Sequence, residues 1–150
     1  MAGTFTQIAL HFVFSTKHRA PLITPDRRDE LYKYIGGIVR NEKGVMVEIG
    51  GMPDHLHLLC LLHPTMSTSE IMRLVKANSS KWINDQPGRT TRFEWQDGYG
   101  AFSVSKSILA TVAQYIRQQE EHHRSKSFQE EFLEFLKKHE IEHDPRYIWD

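Results

Sequence analysis

Two runs of strand-forming residues, Val45 to Ile49 and His55 to Leu62, are separated only by Gly50-Gly51-Met52-Pro53-Asp54, a connection rich in turn formers. Strands joined this closely pair as an antiparallel hairpin, because a parallel pair needs a crossover of a dozen or more residues. The rest of the chain must fit onto that hairpin. Thr4 to Ser15 alternates with period two, placing Ile8, Leu10, Phe12 and Phe14 on one face, and reads as a first strand. Thr24 as N-cap and Pro25 at the first helical position open a helix in which Leu31, Tyr34, Ile35 and Ile38 keep helical spacing up to Gly44. Ser67 to Asn84 starts with a Ser/Thr-rich cap and predicts a second helix, stopped by Gln86-Pro87-Gly88. Arg92 to Val104, interrupted at Gly98-Tyr99-Gly100, predicts a fourth strand or a strand pair broken by a turn. Ser105 to His123 lacks proline and glycine and predicts a third helix of about five turns. Phe128 to His139 predicts a last amphipathic helix.

The order β-α-β-β-α-β followed by two helices describes an α+β fold of the ferredoxin-like, split βαβ kind. An antiparallel sheet carries helices on one face and leaves the other face for chemistry. The 150 residues suit one domain, 1–150, and eight Phe with three Trp suffice to fill its core.

Acidic and basic residues balance at 19 each, so no overall field announces a polyanionic partner. Charge is nevertheless segregated: Glu70 to Arg92 holds five Lys and Arg against two Asp and Glu, whereas Phe128 to Asp150 holds three against seven. Arg73, Lys76, Lys81, Arg89 and Arg92 are the candidate contacts to nucleic-acid phosphates; a merely solvated helix face is the competing reading for each. The single Cys60, within Leu58-Leu59-Cys60-Leu61-Leu62, excludes a disulfide framework and thiolate zinc ribbons and reads as a small buried hydrophobe. With no signal-peptide pattern and no apolar run of about 20 residues, a soluble cytoplasmic protein without a membrane segment is expected.

His55 and His57 lie two apart on the hairpin's second strand, so their imidazoles share a face about 7 Å apart along the backbone. Two imidazoles so placed can converge on one divalent ion, although paired half-buried histidines show the same spacing. Asp54 either orients a ligand histidine or caps the turn. Leu59 stands where a histidine-triad nucleotide hydrolase needs its third His, and where a two-histidine phosphoesterase needs a hydroxyl. The strand-like spacing also excludes the helical zinc-protease signature. The pair is thus an incomplete site. On the third helix Tyr115 and Gln119 stack four apart, His122 continues their stripe and Gln118 flanks it; Ile108, Leu109, Val112 and Ile116 form the packing stripe. Tyr115 at the core's edge beside a solvated Gln119 is the plainer alternative.

Gly51-Met52-Pro53-Asp54-His55-Leu56-His57-Leu58-Leu59, together with Tyr115-Ile116-Arg117-Gln118-Gln119, closely resembles the single-tyrosine HUH transposases of bacterial insertion sequences, to which REP-associated tyrosine transposases are related. The segments from Phe12 to Arg19 and from Trp95 to Val104 are similar to further blocks of that family in the same order, so the resemblance spans nearly the whole chain.

The resemblance implies a single transposase domain in which His55 and His57 bind a metal, Gln119 is a third ligand and Tyr115 is the nucleophile. Imidazole and amide donors without a thiolate suit Mg²⁺ or Mn²⁺. Attack by tyrosine would join the enzyme to a DNA 5′ end and conserve the phosphoester for rejoining. The partners implied are single-stranded DNA with hairpin ends and a second copy, in a homodimer whose active sites are completed in trans. Two other readings remain open: a non-catalytic or host-domesticated nucleic-acid-binding ferredoxin-like protein, and a metal-dependent nuclease that uses water, with Tyr115 structural.

Overall fold

The computed structural model describes residues 3–149. Strand β1 (Ile8–Ser15) is followed by helix α1 (Pro25–Asn41), the hairpin β2 (Val45–Met52) and β3 (His55–Leu62), helix α2 (Thr68–Asn84) and strand β4 (Gly100–Ser103). Three helices close the fold: α3 (Leu109–Arg117), the single turn α4 (Gln119–His122) and α5 (Phe128–Lys138). The four strands form one antiparallel sheet in the order β2-β3-β1-β4, the ferredoxin-like arrangement. Among the described residues no helix is long and apolar enough to cross a membrane.

Strand alternation sorts the two faces. Phe12 and Phe14 of β1 and Leu56, Leu58 and Cys60 of β3 pack under α1 and α2 with Leu31, Ile35, Ile71 and Val75. Each such side chain contributes about 1.5–3 kcal/mol by leaving water, and this layer is the largest of the buried apolar clusters. Cys60 lies in it, and burial pushes its thiol up to about 12. The opposite face presents Ala9, His11, Val13, His55, His57 and Leu59, and it is not left open. Helix α3 covers it through Ala113 and Ile116, and α5 through Phe128, Phe132 and Leu136. The first layer builds the sheet; the second encloses a site on it.

Three local expectations are modified. Gly50 and Gly51 belong to strand β2, which runs to Met52, rather than to the turn. Gly50 is required by close approach: a Cβ there would collide with the main-chain carbonyl of Ile116, so its absence lets α3 lie directly on the strand. The fourth strand shrinks to Gly100–Ser103, while Trp95 upstream forms an isolated bridge with Thr16. The third helix is not continuous. A 3-10 turn at Lys106–Ile108 precedes α3, and Gln118 leaves helical geometry at φ −101°, ψ 27°. That break turns Gln119 inward, where its amide is buried among polar partners instead of facing solvent.

Candidate functional site

His55 and His57 project from β3 on the enclosed face with no solvent exposure. Because β1 runs antiparallel with Val13 opposite His57, His11 stands diagonally beside His57 on the same face, and its Nε2 lies 2.8 Å from His57 Nδ1. Asp54, at the mouth of the hairpin, accepts a hydrogen bond from His55 Nδ1 at 2.7 Å. The helices bring the remaining groups down from above. The Gln119 amide oxygen is 3.0 Å from His55 Nε2 and 3.0 Å from His123 Nε2. Glu131 of α5 places Oε1 at 2.9 Å from His57 Nε2, 3.3 Å from His123 Nε2 and 3.5 Å from His55 Nε2. Its other oxygen, Oε2, accepts from the Gln119 amide at 3.1 Å and from the Tyr115 hydroxyl.

The electrostatics follow from one buried carboxylate among imidazoles. Burial opposes its charge, yet hydrogen bonds from His123, His55 and His57 hold the Glu131 carboxyl well below the usual carboxylate range. Burial also disfavours charge on His55, but Asp54 and Glu131 outweigh it and raise this histidine to about 9. For His57 burial prevails over Glu131, and its pKa falls. His11 is lowered well below its ordinary value by burial and by the neighbouring His57. Tyr115 is pushed up by burial and by the Glu131 carboxylate that accepts its hydrogen bond. In this state the charge on His55 faces the Glu131 carboxylate, and the tyrosine is held protonated.

These groups also satisfy the requirements of a cation site. Ligand atoms of His55, His57, His123 and Glu131 all lie within 4.8 Å of one another. The second nitrogen of each ring is tied outside the cluster: Asp54 takes His55, His11 takes His57, and the carbonyl of Lys126 takes His123 at 2.6 Å. All three Nε2 atoms are thereby aimed at one point, beside the Gln119 amide oxygen. Imidazole nitrogens with carboxylate and amide oxygens form a donor set for a divalent cation, and ligands oriented in this way bind it best.

Every residue singled out for chemistry from the sequence is therefore here: His55, His57, Asp54, Tyr115 and Gln119. Sequence reasoning does not find Glu131, His123 or His11. Glu131 carries a signal, because it interrupts the apolar stripe of Phe128, Phe132, Phe135 and Leu136 at a core-facing position. His11 carries a weaker one, as a lone polar residue on the Ala9–Val13 face of a strand buried on both sides. His123, one residue past the Tyr115–Gln119–His122 stripe, is the histidine that enters the centre. His122 instead packs on the Tyr115 ring, centroids 4.3 Å apart.

The five basic candidates do not form one surface. Arg73, Lys76 and Arg92 line a groove of about 410 Å³ together with Lys17, Trp95 and Gln96. Within it Arg73 pairs with Glu70, and both Lys17 and Arg92 pair with Glu94. Lys76 donates to the carbonyls of Gln96 and Gly98 at 2.8 and 2.6 Å, and burial lowers its pKa to about 8. Lys81 pairs with Asp85 outside the groove. Arg89 lines a separate cavity with Arg27 and lies over Phe93. Backbone links join the Lys17 side of the groove to the hairpin mouth: Thr16 N–H donates to the Asp54 carbonyl and Lys17 N–H to that of Glu94.

Residues 4–119 match the family described as "Transposase IS200 like". The chain is 30% identical over 129 residues to the transposase for insertion sequence element IS200 of Salmonella typhimurium, covering 79% of this chain and 81% of that protein. Among solved structures, a transposase candidate from Deinococcus radiodurans superposes with a TM-score of 0.62 at 23% identity, over 79% of this chain and 95% of that one. A REP-associated tyrosine transposase bound to a REP hairpin superposes with a TM-score of 0.60 at 15% identity, over 82% of this chain and 73% of that one.

Proposed function

The chain belongs to the IS200-like transposase family, and from that premise we propose that it is a metal-dependent enzyme that cuts and rejoins single-stranded DNA through a covalent bond to Tyr115. The observation that carries this reading is the meeting of the Tyr115 hydroxyl with a buried carboxylate whose other oxygen faces three imidazoles. A nucleophile and a cation site are then one carboxylate apart, the separation that a phosphodiester must bridge.

His55, His57 and Gln119 are the ligands in this reading, with His123 beside them and Asp54 holding the His55 ring. A divalent cation bound there, Mn²⁺ or Mg²⁺, would polarise the phosphate and neutralise charge developing on its oxygens. Glu131 occupies in the free chain the place where a phosphate would sit, one oxygen toward the imidazoles and one on the nucleophile. Productive binding therefore requires Glu131 to release Tyr115. The Tyr115 oxygen then forms a bond to phosphorus and gives up its proton, the bond to the DNA 3′ oxygen breaks, and that oxygen leaves as a hydroxyl. The product is a 5′-phosphotyrosine, and attack by a 3′-hydroxyl reverses the chemistry without an external energy source.

The groove of Lys17, Arg73, Lys76 and Arg92 is the proposed path for the DNA backbone. A hairpin end is the expected substrate form, in keeping with the hairpin bound by the REP-associated relative. In the single chain α3 to α5 close over the chain's own His55 and His57; a homodimer in which these helices are exchanged between copies is the assembly proposed. The deciding experiment incubates the protein with labelled single-stranded hairpin DNA and Mn²⁺ and looks for an adduct that survives denaturation. Formation by the wild type and loss in Tyr115→Phe is expected. Cleavage without an adduct, or an adduct in Tyr115→Phe, overturns the assignment.

A further inference from the structure

We infer that His11 is a positioning residue for the metal centre: its Nε2 is the acceptor that lets His57 carry its proton on Nδ1 and present a free Nε2 to the cation. The inference rests on the reading of His57 as a metal ligand.

A neutral imidazole has one N–H, so a histidine that ligates through Nε2 must keep its proton on Nδ1. Nδ1 of His57 is fully buried, and an N–H left there without an acceptor would cost about 1–3 kcal/mol. His11 Nε2, at 2.8 Å, is the partner the fold supplies. In the metal-free chain the arrangement runs the other way. Glu131 is a carboxylate and can only accept, so His57 donates to it from Nε2 and receives a hydrogen bond from His11 Nε2–H at Nδ1. Loading the site reverses the pair. His57 Nε2–H passes its proton to solvent, His11 Nε2–H passes its proton to His57 Nδ1, and His11 takes up one proton at Nδ1. The pair gains and loses no net charge. A carboxylate in the place of His11 accepts but cannot donate, and a lysine donates but cannot accept; an imidazole does both.

The surroundings show that His11 is not needed as filler. It is 3% exposed, edge-on to Phe102 and Phe135 at 6.3 and 5.1 Å between centroids, in a position where an apolar ring would pack without desolvating a polar group. Among the described residues its side chain hydrogen-bonds only to His57. It also borders a cavity of about 260 Å³ lined by Thr111, Tyr115, Glu131 and Glu134.

The test compares Mn²⁺ binding, followed by the loss of the free-ion electron paramagnetic signal, in wild type, His11→Phe and His11→Gln. His11→Phe keeps the ring packing, and His11→Gln keeps a group that both accepts and donates. Binding 10–100-fold weaker in His11→Phe, with most of the loss recovered in His11→Gln, is expected. Equal affinity in a folded His11→Phe overturns the role. Nitrogen-15 imidazole spectra of the wild type decide it independently if that variant does not fold. A shift of the His57 proton from Nε2 to Nδ1 on Mg²⁺ addition supports the inference, and a proton that stays on Nε2 overturns it. Failure of the wild type itself to bind Mn²⁺ would overturn the metal reading as a whole, which separates the two claims.

Discussion

The Tyr115 hydroxyl donates to Oε2 of Glu131 while Oε1 of the same carboxylate lies 2.9 Å from His57 Nε2. A residue of α5 thus joins Tyr115 of α3 to the histidines of β3, and among the described residues it is the only carboxylate in the cluster of ligand atoms. Replacing Glu131 with Gln removes the charge that the imidazoles surround. Breaking a buried ionic network from one side costs about 3–5 kcal/mol. The metal-free variant should melt well below wild type, and Mn²⁺ should recover more of its stability than it adds to wild type. Adduct formation at saturating Mn²⁺ should be at least as fast as in wild type, since a neutral amide holds the tyrosine proton less strongly than a carboxylate does. Slower adduct formation in a folded Glu131→Gln would mean that the carboxylate takes part in the chemistry instead of yielding to the phosphate.

Gly50 sets the height of α3 above the sheet. Gly50→Ala inserts a methyl group against the Ile116 carbonyl, and overpacking of this kind costs about 1–3 kcal/mol. Because Tyr115 precedes Ile116, the displacement should weaken the adduct more than it weakens Mn²⁺ binding. Thermal melts alongside both assays check this, and an unchanged melting temperature with full adduct yield would show that α3 is free to shift.

Lys76 titrates within reach of ordinary buffers. Burial lowers it to about 8, against an unfolded value near 10.5, so the folded chain disfavours its charge. The sign is that of a depressed lysine: the cost of burying the charge is present below pH 8 and disappears as pH rises from 8 toward 10.5. Phosphate contact would favour the charged form. Affinity for single-stranded DNA should therefore fall several-fold between pH 7 and 9.5, and Lys76→Gln should flatten that dependence and reduce the salt slope by about one. Fluorescence anisotropy measures both quantities, and a pH profile identical in the variant would remove Lys76 from the interface.

Exchange of helices between copies can be read from mixtures. Tyr115→Phe and His57→Ala each lack one half of the site. Combined after unfolding and refolding together, they should recover adduct formation if the tyrosine of one copy serves the histidines of the other. No recovery, with mixed dimers present by mass spectrometry, would place each complete site within one chain, as the helices are packed in this structure.

The parts of this protein that depend on neighbours along the chain are legible in its sequence. Period-two alternation in β1, helical spacing in α1 and α2, and the close spacing of β2 and β3 determine the sheet, because which face a side chain takes is set by strand and helix geometry alone. His55 and His57 share a face for the same reason, and the Tyr115–Gln119 pair is visible at helical spacing. Where that geometry meets tertiary contacts, it is interrupted: the third helix breaks at Gln118, and the Gln119 amide just beyond the break is buried against His55, His123 and Glu131.

What the tertiary structure alone decided is the composition of the site. His11, His57, His123 and Glu131 come from β1, β3, the segment after α4 and α5, and no local periodicity relates them. The sequence by itself determined a sheet with two histidines on one face. Only folding α3 to α5 over that face brought down a carboxylate, which draws the imidazoles and the tyrosine together because an ionised group enclosed by protein must find its hydrogen bonds and its counter-charge within a few ångström.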